Sequence, residues 1–133
     1  MKYLLDTNIC IYIIKKKPES VIKKFQKLKP GSVAISSITL SELYFGVSKS
    51  SKPDENMIVL QEFISPLEVL DFTYVDAMVY GKIRSSLEKK GTLIGAMDLL
   101  IASIAKSQDL ILVTNNTKEF SRISDLKIEN WVE

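Results

Sequence analysis

Acidic side chains stand next to short apolar segments of the chain, at positions where they could bind a metal ion together. Asp6 directly follows the apolar segment Tyr3–Leu5, Glu42 lies a few residues beyond Val33–Ser36, and Asp98 begins a strongly apolar stretch. Clustered carboxylates repel one another unless a cation neutralises them. Oxygen ligands without histidine or cysteine select Mg²⁺ or Mn²⁺. Such an ion could activate water for attack on a phosphodiester.

Further polar side chains follow the apolar run Leu110–Val113. They are Asn115, Asn116 and Glu119. If the apolar segments are parallel strands, their carboxyl ends gather at one edge of a sheet, which is where ligands bind in such folds. The spacing therefore predicts that these residues join the first three.

Helix capping offers a simpler explanation for each of these side chains. Asp6 or Asn8 could cap a first helix. Glu42 stands three residues after Thr39, which is the spacing of a capping box. The remaining candidates could be ordinary residues of helix N-termini: Asp98, Asn116 and Glu119. Taken one at a time, these positions leave both explanations open.

The composition removes several classes of chemistry. The chain has no histidine, which excludes Ser-His-Asp and Cys-His nucleophiles and imidazole-ligated metals. Cys10 is the only cysteine, so neither an internal disulfide nor a thiolate zinc site can form. Cys10 lies within an apolar run, which predicts a small buried side chain.

Positive charge is concentrated at the start of the chain. The whole sequence has 18 basic and 16 acidic residues, but its first 31 residues contain eight lysines against two acids, a local excess of +6. Lys15, Lys16 and Lys17 are consecutive. This excess could face phosphates or could be the solvated side of a helix.

Strand and helix signals alternate along the 133 residues. Apolar runs predict strands at Tyr3–Leu5, Val33–Ser36, Leu67–Phe72, Leu110–Val113 and about Leu126–Ile128. Helices are expected over about Asn8–Lys15, Pro18–Leu28, Thr39–Val47, from Pro53, over Tyr74–Lys89, Ala96–Lys106 and about Lys118–Arg122. This alternation predicts a single α/β domain over residues 1–133, a sandwich with a mostly parallel central sheet.

No apolar run approaches the roughly 20 residues that cross a bilayer. The apolar start also breaks at Asp6 without a signal-peptide cleavage pattern. We therefore expect a cytoplasmic protein without a membrane segment.

Four segments resemble the ordered motifs of PIN-domain ribonucleases, particularly the VapC toxins of bacterial toxin–antitoxin pairs. Tyr3–Asn8 resembles the first motif, and Ile35–Gly46 resembles the second, which carries the glutamate. Ile94–Ala102 resembles the third motif and Leu112–Phe120 the last. The similarity extends over essentially the whole chain and implies a three-layer α/β/α fold of the PIN type.

The resemblance implies a metal-dependent endoribonuclease. Asp6 and Asp98 would bind Mg²⁺ or Mn²⁺ directly, while Glu42 would bind through water or orient the nucleophile. Thr7 and Thr114 would support the site by hydrogen bonding. Lys15, Lys16, Lys17 and Arg84 are candidates for contacts with RNA phosphates.

The same resemblance implies a structured RNA substrate, with tRNA as the expected class. It also implies a cognate antitoxin that lays a helix in an apolar groove and directs a basic side chain toward the acids. A homodimer is a further implication. The apolar residues that could form its surface, or simply belong to the core, are Leu43, Tyr44, Phe45, Ile58 and Phe63.

The last motif departs from the family pattern. Many PIN domains have an aspartate two residues after the threonine, where this chain has Asn116. Glu119, just before Phe120, is the alternative source of a fourth carboxylate. One bound ion is expected, with a second only when RNA is present.

Other functions remain as alternatives. A catalytically inert PIN-like module could bind RNA or protein without cutting. A response-regulator receiver needs an early acidic pair and a phosphoacceptor aspartate after a central strand, and Asp54 and Asp71 do not have that setting. A phosphatase is disfavoured because no glycine-rich phosphate loop is present.

Overall fold

The fold is built around a parallel sheet. A computed structural model describes residues 1–133. Its strands are β1 (Tyr3–Leu5), β2 (Val33–Ser36), β3 (Glu68–Leu70), β4 (Ile111–Val113) and β5 (Ile128–Glu129). They pair in the order β3-β2-β1-β4-β5, and every neighbouring pair is parallel. The predicted α/β sandwich is confirmed.

Seven helices cover the sheet. They are α1 (Thr7–Lys15), α2 (Glu19–Gln26), α3 (Ser37–Ser48), α4 (Pro53–Ile64), α5 (Tyr74–Lys89), α6 (Ala96–Ser107) and α7 (Thr117–Phe120). None of them combines the length and apolar character needed to cross a membrane.

Alternation along the strands produces one core on each side of the sheet. Leu5 and Val113 pack into the core that contains side chains of α1 to α4. Leu4 and Leu112, one residue earlier on the same strands, pack with α5, α6 and α7. Because successive strand residues point to opposite faces, three-residue strands suffice to supply both cores.

The order of the strands creates a crevice at their carboxyl ends. After β1 the chain adds β2 and β3 on one side, and it later adds β4 and β5 on the other. The crossovers therefore diverge between β1 and β4, which is the switch point where doubly wound folds bind ligands. Asp6 directly follows β1 and Thr114 directly follows β4.

Capping corrects one sequence interpretation. Helix α3 begins at Ser37 rather than Thr39, because the Ser36 hydroxyl accepts a hydrogen bond from the Thr39 backbone N–H at 2.9 Å. Thr39 and Glu42 consequently do not form a capping box. The Glu42 side chain is left available for other contacts.

A buried acid joins α5 to α6. Asp76 is fully buried and forms a capping box with Thr73 at the start of α5. The Ser107 hydroxyl at the end of α6 donates to Asp76 Oδ1, while the Thr73 backbone N–H donates to Asp76 Oδ2 at 2.8 Å. The two helices are therefore antiparallel, and the carboxylate is hydrogen-bonded without a cation.

Candidate active site

Asp6 is held rigidly at the crevice. It is the N-cap of α1, and its Oδ1 accepts from the Ile9 backbone N–H at 2.9 Å. Its Oδ2 accepts from the hydroxyl of Thr114, the residue that follows the neighbouring strand β4, at 2.5 Å. Burial raises the pKa of Asp6, these two hydrogen bonds oppose the rise, and the charge of Glu42 adds to it. Asp6 therefore caps α1, as the sequence predicts, and the same side chain also lies at the candidate site.

Thr7 contacts the second acid. Its Oγ1 donates to Glu42 Oε1 at 2.7 Å and lies 3.2 Å from Thr39 Oγ1. The contact joins the start of α1 to the second turn of α3, residues 35 positions apart in sequence. The sequence predicts Thr39 only as a helix cap. Its place three residues before Glu42, on the same helical face, is the signal that indicates a role at the site.

Asp98 lies in the first turn of α6, facing the other acids. Partial burial raises its pKa to about 6, and the charges of Glu119, Asp6 and Glu42 contribute to the rise. Among these three charges, that of Glu119 contributes most to the rise in the pKa. Four carboxylates from four separate segments therefore act on one another at this edge of the sheet.

The last segment supplies a carboxylate and an amide. Asn116 Nδ2 donates to Glu119 Oε2 at 3.0 Å, and the Asn116 backbone N–H donates to Thr114 Oγ1 at 2.9 Å. The charge of Glu119 also raises the pKa of Asp98. Asn115 points elsewhere and accepts from Asn130 Nδ2 at 3.3 Å.

The negative charge of this cluster is not balanced within the protein. The four salt bridges lie elsewhere, at Lys23–Glu19, Lys52–Glu55, Arg84–Glu88 and Lys127–Asp109. Unpaired carboxylates in a half-buried crevice favour a bound cation.

The side-chain conformations bear on how such a cation would be held. No three acidic side chains are arranged to hold a metal ion together. Asp6 and Glu42 are instead oriented by the hydroxyls of Thr114 and Thr7. Mg²⁺ usually keeps several waters and binds through one or two carboxylates, so the donor set fits a hydrated hard cation.

A groove beside the site is lined by α1, α3 and α4. Its volume is about 440 Å³, and its walls include Ile11, Ile14 and Val59. Glu42 and Lys15 both line it, so one predicted RNA contact shares a groove with a site acid. Lys16 and Lys17 are exposed where α1 ends.

Arg84 is placed differently from these lysines. It lies on α5, in the opposite helix layer, and its Nε is 3.1 Å from Glu88 Oε1. Its Nη1 also donates to the Tyr80 hydroxyl at 3.1 Å. The structure therefore does not bring Arg84 together with the lysines, and its charge is already paired.

Comparisons with known proteins agree with this architecture. The family model described as PIN domain matches residues 3–126. Ribonuclease VapC2 of Rickettsia felis is 51% identical over 132 residues, covering 98% of each chain. The tRNA(fMet)-specific endonuclease VapC of Shigella flexneri is 46% identical, again over 98% of each chain. The crystal structure of Rickettsia felis VapBC2 bound to a promoter DNA fragment contains a chain that superposes with a TM-score of 0.92 at 49% identity, covering 98% of this chain and 99% of that one.

Proposed function

Because this chain belongs to the PIN-domain family, and its relatives include VapC ribonucleases, we propose that it is the toxin endoribonuclease of a toxin–antitoxin pair. One observation supports this most directly. The charges of Asp6, Glu42 and Glu119 all act on Asp98, and no lysine or arginine is paired with any of them. A cluster of this kind is suited to metal-assisted phosphodiester hydrolysis.

The metal proposed here is Mg²⁺, with Mn²⁺ as a substitute. Asp6 and Asp98 would hold it directly, and Glu42 would hold it through water. The ion, when bound, supplies activation of water and neutralisation of charge on the phosphodiester. The sequence offers no histidine to act as a general base.

The chain's own residues position these groups. Two hydrogen bonds, from Ile9 and Thr114, fix both oxygens of Asp6. Thr7 orients Glu42 through a 2.7 Å hydrogen bond. Such preorganisation matters because small displacements of a reacting group cost large factors in rate.

The proposed substrate is a structured RNA of the tRNA class, which implies action in the cytoplasm. Lys15 shares the groove with Glu42, and Lys16 and Lys17 extend the positive surface beyond it. Replacing the three lysines by glutamate should weaken RNA binding and lower its salt slope by about three. The matched control is Lys52→Glu with Lys127→Glu, since both of those lysines pair with acids elsewhere. Unchanged affinity and salt slope in the triple variant would remove these contacts from the proposal.

The proposed protein partner is a cognate antitoxin. Similar chains were solved within VapBC complexes. The groove is lined by six hydrophobic residues, among them Ile11, Ile14 and Val59, and it is acidic at Glu42 and basic at Lys15. It therefore suits an apolar helix followed by a basic side chain.

A homodimer is also proposed. Of the apolar residues considered for its surface, Phe45 and Ile58 are 64% and 61% exposed, whereas Leu43 belongs to the core. The exposed pair lies on α3 and α4. Large exposed apolar side chains on adjacent helices favour contact with another surface.

Cleavage of RNA in vitro tests the proposed activity. Purified protein freed of antitoxin is incubated with total RNA in Mg²⁺, in EDTA and as Asp6→Asn or Asp98→Asn. We expect cleavage only by the unchanged protein with the metal. The matched control is Asp109→Asn, at an exposed residue with left-handed backbone that asparagine tolerates.

The outcomes separate the alternatives. Cleavage that persists in EDTA, or in both site variants, would reject the metal-dependent mechanism. RNA binding without cleavage would favour an inert PIN-like module.

A further inference from the structure

A small basic pocket lies in the helix layer that contains α5, α6 and α7. Its charged lining residues are Lys82 of α5, Lys106 in the last turn of α6, and Arg122, which follows α7. Ser86 and Ser124 add hydroxyl groups to the lining, and no acidic residue lines it. Three cations from three separate segments therefore surround one small space.

The positive charge of this basic pocket is not balanced within the protein. The four salt bridges of the chain use other cations. Lys106 Nζ donates to the Ser124 carbonyl oxygen at 2.9 Å, and Arg122 Nη1 donates to the Leu93 carbonyl oxygen at 3.5 Å. These contacts orient two half-buried side chains without neutralising them, because a carbonyl carries no net charge. Each contact uses one donor, so most of their N–H groups remain available to an anion.

The size of the basic pocket limits what this anion can be. Its volume is about 80 Å³, whereas pockets that enclose a whole small molecule measure roughly 300–1,000 Å³. The basic pocket therefore admits one group of the size of a phosphate, and the rest of the ligand must lie outside it. A guanidinium binds phosphate through paired hydrogen bonds, and lysine ammonium groups add charge.

The basic pocket is separate from the acid cluster. Lys106 follows Asp98 by eight residues on α6, which corresponds to about 12 Å along the helix axis. The helices around the basic pocket pack on one face of the sheet, and α1, which ends at Lys15, packs on the other. The acid cluster lies at the edge of the sheet between the two layers. An RNA that extends across this edge therefore meets basic side chains on both layers.

We propose that the basic pocket binds a backbone phosphate of the RNA, so that the substrate is held on both sides of the acid cluster. This inference rests on the proposed function. A free phosphate ion would have to bind an open surface pocket unaided, since Lys82 and Ser86 are exposed. A phosphate of an RNA that already contacts the protein elsewhere binds at a high effective concentration.

Binding of unfractionated, fluorescently labelled tRNA in EDTA tests this proposal without requiring cleavage. Fluorescence anisotropy gives the affinity and its salt dependence for the unchanged protein and for a variant with Lys82→Gln, Lys106→Gln and Arg122→Gln. We expect the affinity of this pocket variant to fall by about 10-fold and its salt slope by about one, because one charge-assisted phosphate contact is lost.

The matched control has Lys23→Gln, Lys52→Gln and Lys127→Gln. It removes the same net charge at residues that pair with acids elsewhere, so it should bind tRNA with nearly the salt slope of the unchanged protein. A pocket variant whose affinity and salt slope equal those of this control would overturn the proposal. Circular dichroism confirms that both variants are folded.

A single exposed substitution keeps the test decisive if the triple pocket variant does not fold. Lys82→Glu then takes its place, with Lys52→Glu as its control, because both lysines are exposed on helix α5 or just before α4. We expect weaker tRNA binding by Lys82→Glu than by Lys52→Glu. Equal affinities would contradict a phosphate contact at the basic pocket.

Titration with inorganic phosphate distinguishes the two sources of the same chemical group. We expect calorimetry to show far weaker binding of inorganic phosphate than of tRNA. Phosphate binding that is lost in the pocket variant, combined with unchanged tRNA affinity, would overturn the assignment to RNA and indicate a site for the free ion.

The failure of this inference is distinguishable from failure of the proposed function. If the unchanged protein cleaves RNA in Mg²⁺ while the pocket variant binds tRNA as the control does, only the basic pocket is lost. If the unchanged protein neither binds nor cleaves RNA, the proposed function is lost and this inference with it.

Discussion

Asp98→Asn should stabilise the metal-free protein while abolishing its activity. The pKa of Asp98 is raised from 3.8 to about 6 by partial burial and by the neighbouring acids. One pKa unit corresponds to 1.36 kcal/mol, so ionising Asp98 in the folded state costs at most about 3 kcal/mol. Solvent screening at this half-buried position lowers the expected gain from the substitution to about 1–2 kcal/mol near neutral pH.

The gain should depend on pH in a defined direction. Between about pH 4 and pH 6 the folded protein binds more protons at Asp98 than the unfolded chain does. The stability of the unchanged protein therefore rises as the pH falls through about 6, and the advantage of Asp98→Asn should disappear by about pH 4. Urea unfolding of both proteins in EDTA, at about pH 7.5 and about pH 4.5, measures the difference in their free energies of unfolding at each pH.

Added metal should reverse the ranking of the two proteins. Mg²⁺ at 100 times its dissociation constant stabilises the binding-competent protein by about 2.7 kcal/mol. Asp98→Asn should gain much less. Lower stability of Asp98→Asn in EDTA near neutral pH, or an equal difference at both pH values, would refute the reasoning. Asp109→Asn, at an exposed acid paired with Lys127, should leave the free energy of unfolding nearly unchanged at both pH values.

Three further changes test separate features. Thr7→Val removes the donor to Glu42, so kcat for RNA cleavage should fall by about 10–100-fold while the urea midpoint changes little. An unchanged kcat would argue against an orienting role for Thr7. Asp76→Ala removes the capping box and the acceptor of Ser107, so the free energy of unfolding should fall by about 2–4 kcal/mol; a loss below about 1 kcal/mol in urea unfolding would contradict this. Lys16→Gly relieves a left-handed backbone with φ 60 and should raise the free energy of unfolding by about 0.5 kcal/mol, whereas a lower urea midpoint would show that no strain was present.

The elements that position the site were largely predictable from sequence. The apolar run before Asp6 fixed the end of β1, and helix α5 has the predicted bounds Tyr74–Lys89. Apolar runs and helical periodicity carry this information because both report which faces are buried. The parallel sheet then follows from the alternation of strands and helices.

Choices between chemically similar side chains were not predictable in the same way. Ser36 and Thr39 are both good N-caps. The structure uses Ser36, which is the last residue of β2 and pairs with Leu70 of β3. The sequence alone does not say how Asn116 and Glu119 divide the polar contacts after β4. Their arrangement, with Asn116 Nδ2 donating to Glu119 Oε2, depends on side-chain placement.

One predicted RNA contact, Arg84, lies in the helix layer opposite the lysines. Arg84 and Glu88 have i,i+4 spacing on a predicted helix, and this spacing favours a local ion pair over an RNA contact. The exposure of the apolar residues of α3 was harder to predict from the sequence. Leu43 and Phe45 differ by two positions and have opposite exposure, which depends on how α3 packs against its neighbours.

The position of β1 in the sheet has a consequence for synthesis of the protein. β1 is made first but lies between β2 and β4, and its Asp6 is hydrogen-bonded to a residue 108 positions later. An unfinished chain on the ribosome therefore lacks both Thr114 and Glu119, and it cannot assemble the acid cluster. An activity that needs this cluster is therefore absent until nearly all of the residues have emerged.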